Sequence, residues 1–149
     1  MSLLVEPALY YFAYGSNMLT SRLEERVGKV ALHGVGVLKD YVFKFNKISQ
    51  DGGKANIEPC SGSEVSGVLF KVTAEQLAIL DVFEGAPHHY QRVIVKVGEI
   101  KAIAYIATPK YTAKTSLTPS TEYLNLILNG AKEHRIKMPA ELPGDISSQ

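Results

Sequence analysis

The sequence predicts an α+β fold, a small central β-barrel of five to six strands with surrounding helices. Three observations lead there. Strand-like runs outnumber helix-like ones, several strand-like runs follow one another directly, and three helical segments are interspersed among them. A doubly wound sheet needs a helical crossover after each strand, so consecutive strands favour a closed or half-closed barrel.

Taken in order, Ala8 to Tyr14 reads as a buried strand rich in aromatics. Met18, Leu19, Leu23 and Val27 then fall near helical spacing, which starts a helix at or just after Asn17. Tyr41, Phe43 and Phe45 alternate with Val42, Lys44 and Asn46, the pattern of a strand between two environments. "SQDGGK" is a turn with Asp51-Gly52-Gly53 at its tip, and "ANIEP" is a short strand ending at Pro59.

"EVSGVLFKV" is a clearer strand, and Thr73 after it caps the helix "AEQLAILDVFEG". That helix carries Leu77, Leu80 and Phe83 (or Ile79) towards a core and stops at Gly85-Ala86-Pro87. "YQRVIVKV" and "KAIAYIAT" form an antiparallel hairpin about Gly98-Glu99. "PKYTAKTSLTPST" is a long surface connection. Ser120 then caps a last helix with Tyr123, Leu124, Ile127 and Leu128 on its apolar face. Residues 137–149 hold two prolines and wrap or fray. No repeat or linker divides the chain, so residues 1–149 read as a single domain.

Composition excludes several functions. The 149 residues suit one domain, and 46% hydrophobic with 21% charged residues is ordinary for a soluble protein. With 16 basic against 15 acidic side chains there is no field to gather nucleic acid. The apolar runs are too short for a membrane helix, and "MSLLVEPALYYFAYG" lacks the basic start of a targeting segment. A single cysteine, Cys60, excludes an internal disulfide and fits a reducing, cytoplasmic compartment. His33, His88, His89 and His134 are not at metal-ligand spacing, and no cofactor-binding loop is present. No metal and no cofactor is therefore expected.

Two places remain for chemistry. Tyr14-Gly15-Ser16-Asn17 lies where the first strand meets a helix, with backbone N–H groups free to hold a carboxylate or an oxyanion. The plainer reading is a tight connection. Glu84 ends a mostly apolar helix, where burial would raise its pKa and make it a base near neutrality. The plainer reading is a solvated helix end, as for Asp81.

Five stretches, "YFAYGSNM", "GKANIEP", "EVSGVLFKV", "LDVFEGAPHHYQRVIVKV" and "TPSTEYLNLILNGAKEH", run in one order from about Tyr11 to His134. Together they resemble the γ-glutamylcyclotransferase family, and "EYLNLILNGAKEH" resembles the γ-glutamylcyclotransferases proper. The resemblance implies a mixed α/β fold around a small barrel, often as a homodimer. It implies cyclisation of γ-glutamyl amides to 5-oxoproline with release of an amino acid, without cofactor or enzyme nucleophile. The partner is then a small γ-glutamyl substrate.

By the same resemblance Glu84 is the catalytic acid/base. Tyr11, Phe12, Ala13, Tyr14, Gly15, Ser16 and Asn17 form the substrate loop, Tyr123 closes the pocket, and Tyr90 and Tyr105 are wall residues. Ser66 stands where the family often has tryptophan, which would re-shape a wall. His88 and His89 either line the pocket mouth or lie on the surface. Two other readings are an enzyme acting on γ-glutamyl amines or other γ-glutamyl amides, and a protein that binds a small carboxylate without turnover.

Overall fold

The structure, a computed structural model, describes residues 9–138. The predicted tail therefore lies mostly outside the described residues. Five strands form one sheet in the order β2-β3-β1-β5-β4. They are β1 (Leu9–Ala13), β2 (Ala31–Lys47), β3 (Lys54–Val72), β4 (Tyr90–Val97) and β5 (Ile100–Ala107). The helices are α1 (Thr20–Val27), α2 (Ala74–Glu84) and α3 (Thr121–Glu133).

The aromatic first strand takes the central place. Tyr11 of β1 is opposite Phe70 of β3 on one side, antiparallel, and Ile103 of β5 on the other, parallel. Phe12, Ile57, Val68, Phe70 and Ala104 are buried at this centre. Hydrogen bonding does not close the sheet among the described residues, but curvature brings its two edges together. A Cβ added at Gly36 of β2 would come 2.5 Å from Cγ1 of Val97 in β4. The barrel is thus a curled sheet rather than a sealed ring.

The strand boundaries differ from the expectation. "ANIEP" and "EVSGVLFKV" are not separate strands but parts of the 19-residue β3, paired along its length with β2. Pro59 does not end the strand, because it lies opposite Tyr41 where the ladder is already interrupted. The register shifts between Lys39 and Tyr41, and Asp40 there has φ 66° and accepts from the Gly62 N–H at 3.0 Å. A residue without an N–H is tolerated at such a bulge beside an edge strand.

Helix α2 starts with a reciprocal cap: Gln76 N donates to Thr73 Oγ1, and Thr73 N donates to Gln76 Oε1, both at 3.0 Å. It ends at Gly85, whose φ of 64° is left-handed. Leu77 and Leu80 are buried as expected, but Ile79 is exposed and Phe83 is 52% exposed. Phe83 lies instead under the guanidinium of Arg26, 4.9 Å from its ring centre.

Helix α1 begins later than predicted, at Thr20, after a 3₁₀ turn over Ser16–Met18. The end of α3 holds this junction. A Cβ at Gly130 would lie 2.6 Å from Leu19 N, so only glycine lets the helix come so close. Glu133 Oε1 accepts from Thr20 N at 3.0 Å, supplying α1 with a cap that its own N-cap residue does not provide. His134 Nε2 lies 2.8 Å from the Met18 carbonyl oxygen. The motif "GAKEH" thus acts as a brace on the Gly-Ser-Asn turn. Gly130 and Ala131 are buried in α3, whereas the expected Leu128 is partly exposed.

Among the described residues no helix is long and apolar enough to cross a membrane.

Candidate active site

A cavity of about 360 Å³ opens where the end of β1, the end of α2, the start of α3 and the β2–β3 turn meet. Each element presents its groups for a local reason. Alternation along β1 turns Tyr11 to the cavity. The structure does not bring Phe12 and Ala13 to it: Phe12 lies in the core against Gly67, where an added Cβ would meet Phe12 Cζ at 2.7 Å, and Ala13 pairs with Val68. Tyr14, Gly15, Ser16 and Asn17 do line it.

Gly15 keeps the turn close to β3, since a Cβ there would lie 3.1 Å from Cβ of Ala55 and 3.6 Å from Oη of Tyr123. The next residues wind into a 3₁₀ turn in which Met18 N donates to Gly15 O at 3.1 Å. Within such a turn the leading N–H groups have no intrahelical acceptor, and those of Ser16 and Asn17 find no other partner among the described residues.

Glu84 is the last residue of α2 and sits on the opposite wall. Its carboxyl is pushed from an ordinary 4.5 to about 7, by burial above all, against the opposing pull of Arg26, Arg22 and Lys47. Asn17 Nδ2 lies 3.4 Å from Glu84 Oε1 and donates to Tyr11 Oη at 3.1 Å. Asn17 Oδ1 is buried and has no partner among the described residues.

The remaining tyrosines form the walls. Tyr123 Oη accepts from Ala55 N at 3.0 Å, and Tyr90 Oη donates to Ala55 O at 2.6 Å, so two phenols hold both backbone groups of one residue. Tyr105 Oη donates to Asp81 Oδ1 at 2.6 Å, and Tyr14 Oη donates to the Tyr105 carbonyl at 2.5 Å. Burial raises the pKa of every one of these phenols, so all stay protonated donors. Asp81 is not free for chemistry, being paired with Arg92 at 2.8 Å through each oxygen.

Ser66 is not among the lining residues; it lies in β3 opposite Val37, away from the wall it was expected to re-shape. The two histidines divide: His89 lines the cavity and His88 does not. The lining also contains Arg22, Arg26, Lys47 and Lys54, none of them anticipated. The spacing of Arg22 and Arg26, four apart on α1, was available as a signal. Lys47 and Lys54 carried none, because a lysine at a strand end reads as solvated. No group of three or more potential metal ligands occurs among the described residues.

Comparison with known proteins shows the family. The family model for "Gamma-glutamyl cyclotransferase, AIG2-like" matches residues 11–125. The chain is 37% identical to the human gamma-glutamylcyclotransferase over 145 residues, covering 89% of this chain and 75% of that protein. It is 34% identical to the Bos taurus gamma-glutamylcyclotransferase over 137 residues, covering 86% and 72%. A solved structure of a gamma-glutamyl cyclotransferase superposes with a TM-score of 0.73 at 33% identity, covering 95% of this chain and 85% of that one. The chain belongs to the γ-glutamyl cyclotransferase, AIG2-like family.

Proposed function

We propose that the cavity is where this γ-glutamylcyclotransferase closes the glutamyl group of its substrate into 5-oxoproline, with Glu84 as the proton-transfer group. The observation that carries the reading is a buried carboxyl with a pKa of about 7 in a tyrosine-lined cavity, facing a Gly-Ser-Asn turn. A base of that pKa is half ionised at neutrality and serves in both directions of proton transfer.

Glu84 takes a proton from the substrate's α-ammonium. The freed nitrogen attacks the γ-carbonyl carbon, forming the ring C–N bond and placing negative charge on the carbonyl oxygen. The Ser16 and Asn17 N–H groups supply donors for that oxygen. Glu84 then returns its proton to the leaving nitrogen as the old C–N bond breaks, and the surplus proton on the ring nitrogen passes to Glu84 and from it to the released amine, which leaves as an ammonium. The unpartnered Asn17 Oδ1 is an acceptor for the ammonium before it loses its proton. Tyr11, Tyr90, Tyr105 and Tyr123 shape the walls, and the fixed geometry matters because ring closure is a problem of proximity.

The exposed thiol of Cys60 supports a reducing, cytoplasmic setting, and exposed Leu32, Val35 and Ile94 support a homodimer. A role in glutathione metabolism rests on the same reaction class.

The test is 5-oxoproline release from a panel of γ-glutamyl dipeptides, with Glu84→Gln beside the parent. A loss of about 100-fold or more in the variant is expected. Turnover by the variant at the parent's rate would rule Glu84 out.

A further inference from the structure

Lys47 ends β2 and Lys54 begins β3, and the two are direct cross-strand partners in the sheet. Like charges placed opposite one another repel. Both side chains nevertheless line the same cavity. Lys54 has a carboxylate, Asp51 at 3.2 Å, and lies 4.2 Å above the ring of Tyr123. Lys47 is only 5% exposed and has no carboxylate within ion-pair reach among the described residues.

A buried lysine without a counter-ion is rare, because the ammonium loses its hydration without compensation. Here the compensation is partial. Lys47 Nζ lies 2.9 Å from Nδ1 of His89, with the rings of Tyr90 and Tyr111 at 5.5 and 5.1 Å. An ammonium only donates, so His89 is neutral and accepts at Nδ1. Its pKa is lowered, by desolvation first and then by the Lys47 cation. One of three N–H bonds is thereby used, and the others remain for an acceptor inside the cavity. His89 in turn stacks on Tyr111 at 3.9 Å, which fixes the ring that orients Lys47.

We infer that Lys47 and Lys54 are specificity-determining residues of the site: together they take the carboxylate of the departing amino acid and set how far a leaving group with that charge is preferred over a neutral one. The inference rests on the cyclotransferase reading and deepens it. Arg22 and Arg26, across the cavity on α1, remain for the carboxylate of the glutamyl portion itself. Arg22 donates to Ser16 Oγ at 3.1 Å, which ties it to the substrate loop and leaves the β2–β3 end to the other half of the molecule.

The test compares γ-glutamyl-alanine with γ-glutamyl-ethylamide, which differ by that one carboxylate, in the parent, Lys47→Met, Lys47→Arg and Lys54→Gln. The parent is expected to prefer the peptide by about tenfold or more in kcat/KM, a difference that Lys47→Met removes. Because the Lys47 cation also restrains the Glu84 carboxyl, both substrates are compared at the plateau of kcat/KM above the Glu84 midpoint; there the loss should fall on the peptide several times more heavily than on the ethylamide, and Lys47→Arg should restore part of it. Lys54→Gln, at a more exposed position, should reduce the same preference without risk to the core.

An equal loss on both substrates would place Lys47 against the glutamyl carboxylate and overturn the inference. So would a parent that treats the two alike. If the parent turns over neither, the cyclotransferase reading fails by itself. Calorimetric binding of the same two compounds then decides the lysine site: weaker peptide binding in Lys47→Met upholds it, and indifference overturns it.

Discussion

Asn17 Nδ2 lies 3.4 Å from Glu84 Oε1, bridging residues 67 positions apart, while it also donates to Tyr11 Oη. One amide therefore joins the strand end, the 3₁₀ turn and the end of α2 at the wall of the cavity. Asn17→Asp keeps the shape but sets a second carboxylate beside the first. Two such groups resist ionising together. The acid limb of the rate profile is expected to move up by about one pH unit or more, read from kcat/KM between pH 5 and 9.

Activity of the parent should rise with pH through a midpoint near 7, where Glu84 ionises. Burial raises that value, and Arg26 is the largest of the cations that restrain it. Arg26→Gln should shift the midpoint upward, since the carboxylate loses an attractive charge. A midpoint unchanged or lowered in the variant would contradict the placement of Arg26.

Stability carries the opposite signature. Below about 4.5 both folded and unfolded forms hold the Glu84 proton, and the buried carboxyl costs nothing. As pH rises from there to about 7, the unfolded chain releases its proton first and stability falls. Glu84→Gln has no such penalty. Urea unfolding should find the variant no more stable than the parent at pH 4 but more stable at pH 8, by at most about 3 kcal/mol.

Removing the Tyr123 hydroxyl leaves the Ala55 N–H buried without its acceptor. Tyr123→Phe should lose about 1–3 kcal/mol in urea unfolding. Tyr90→Phe does the same to the Ala55 carbonyl and should cost a similar amount. Activity should fall in both, because Ala55 is part of the cavity wall.

Gly130→Ala drives a methyl towards the backbone of Met18 and Leu19. A loss of about 1–3 kcal/mol is expected, together with a fall in turnover, because the displaced backbone carries the Gly-Ser-Asn turn. A stable but unimpaired variant would show that the turn does not need the helix behind it.

What could be read in advance was local. The Thr73 cap, the Gly85 stop, the Gly98 hairpin and the Ser120 cap each depend on a few neighbouring side chains, and all stand in the structure. What could not be read depends on long-range register. Pro59 looked like a strand end because the bulge at Asp40 that accommodates it is contributed by another strand. Phe83 looked like core because α2 was taken alone, whereas Arg26 of α1 covers its ring. Phe12 was grouped with its neighbours in the loop motif, yet alternation along β1 turns it away from Tyr11. Lys47 gave no signal, since its burial comes from His89, Tyr90 and Tyr111, all far along the chain.

The central position of β1 bears on how the molecule comes to exist. Among the described strands β1 comes earliest in the chain, yet it sits between β3 and β5, and β5 is complete only at Ala107. Its pairing with β3 spans residues up to Val72, whereas its other edge stays open until β5 is in place, which makes these contacts long-range in sequence. A chain that stops before α3 has no brace behind the Gly-Ser-Asn turn. Shortening the chain into α3 should therefore abolish turnover outright rather than reduce it in steps, because the cavity loses Tyr123 and the turn loses its support together.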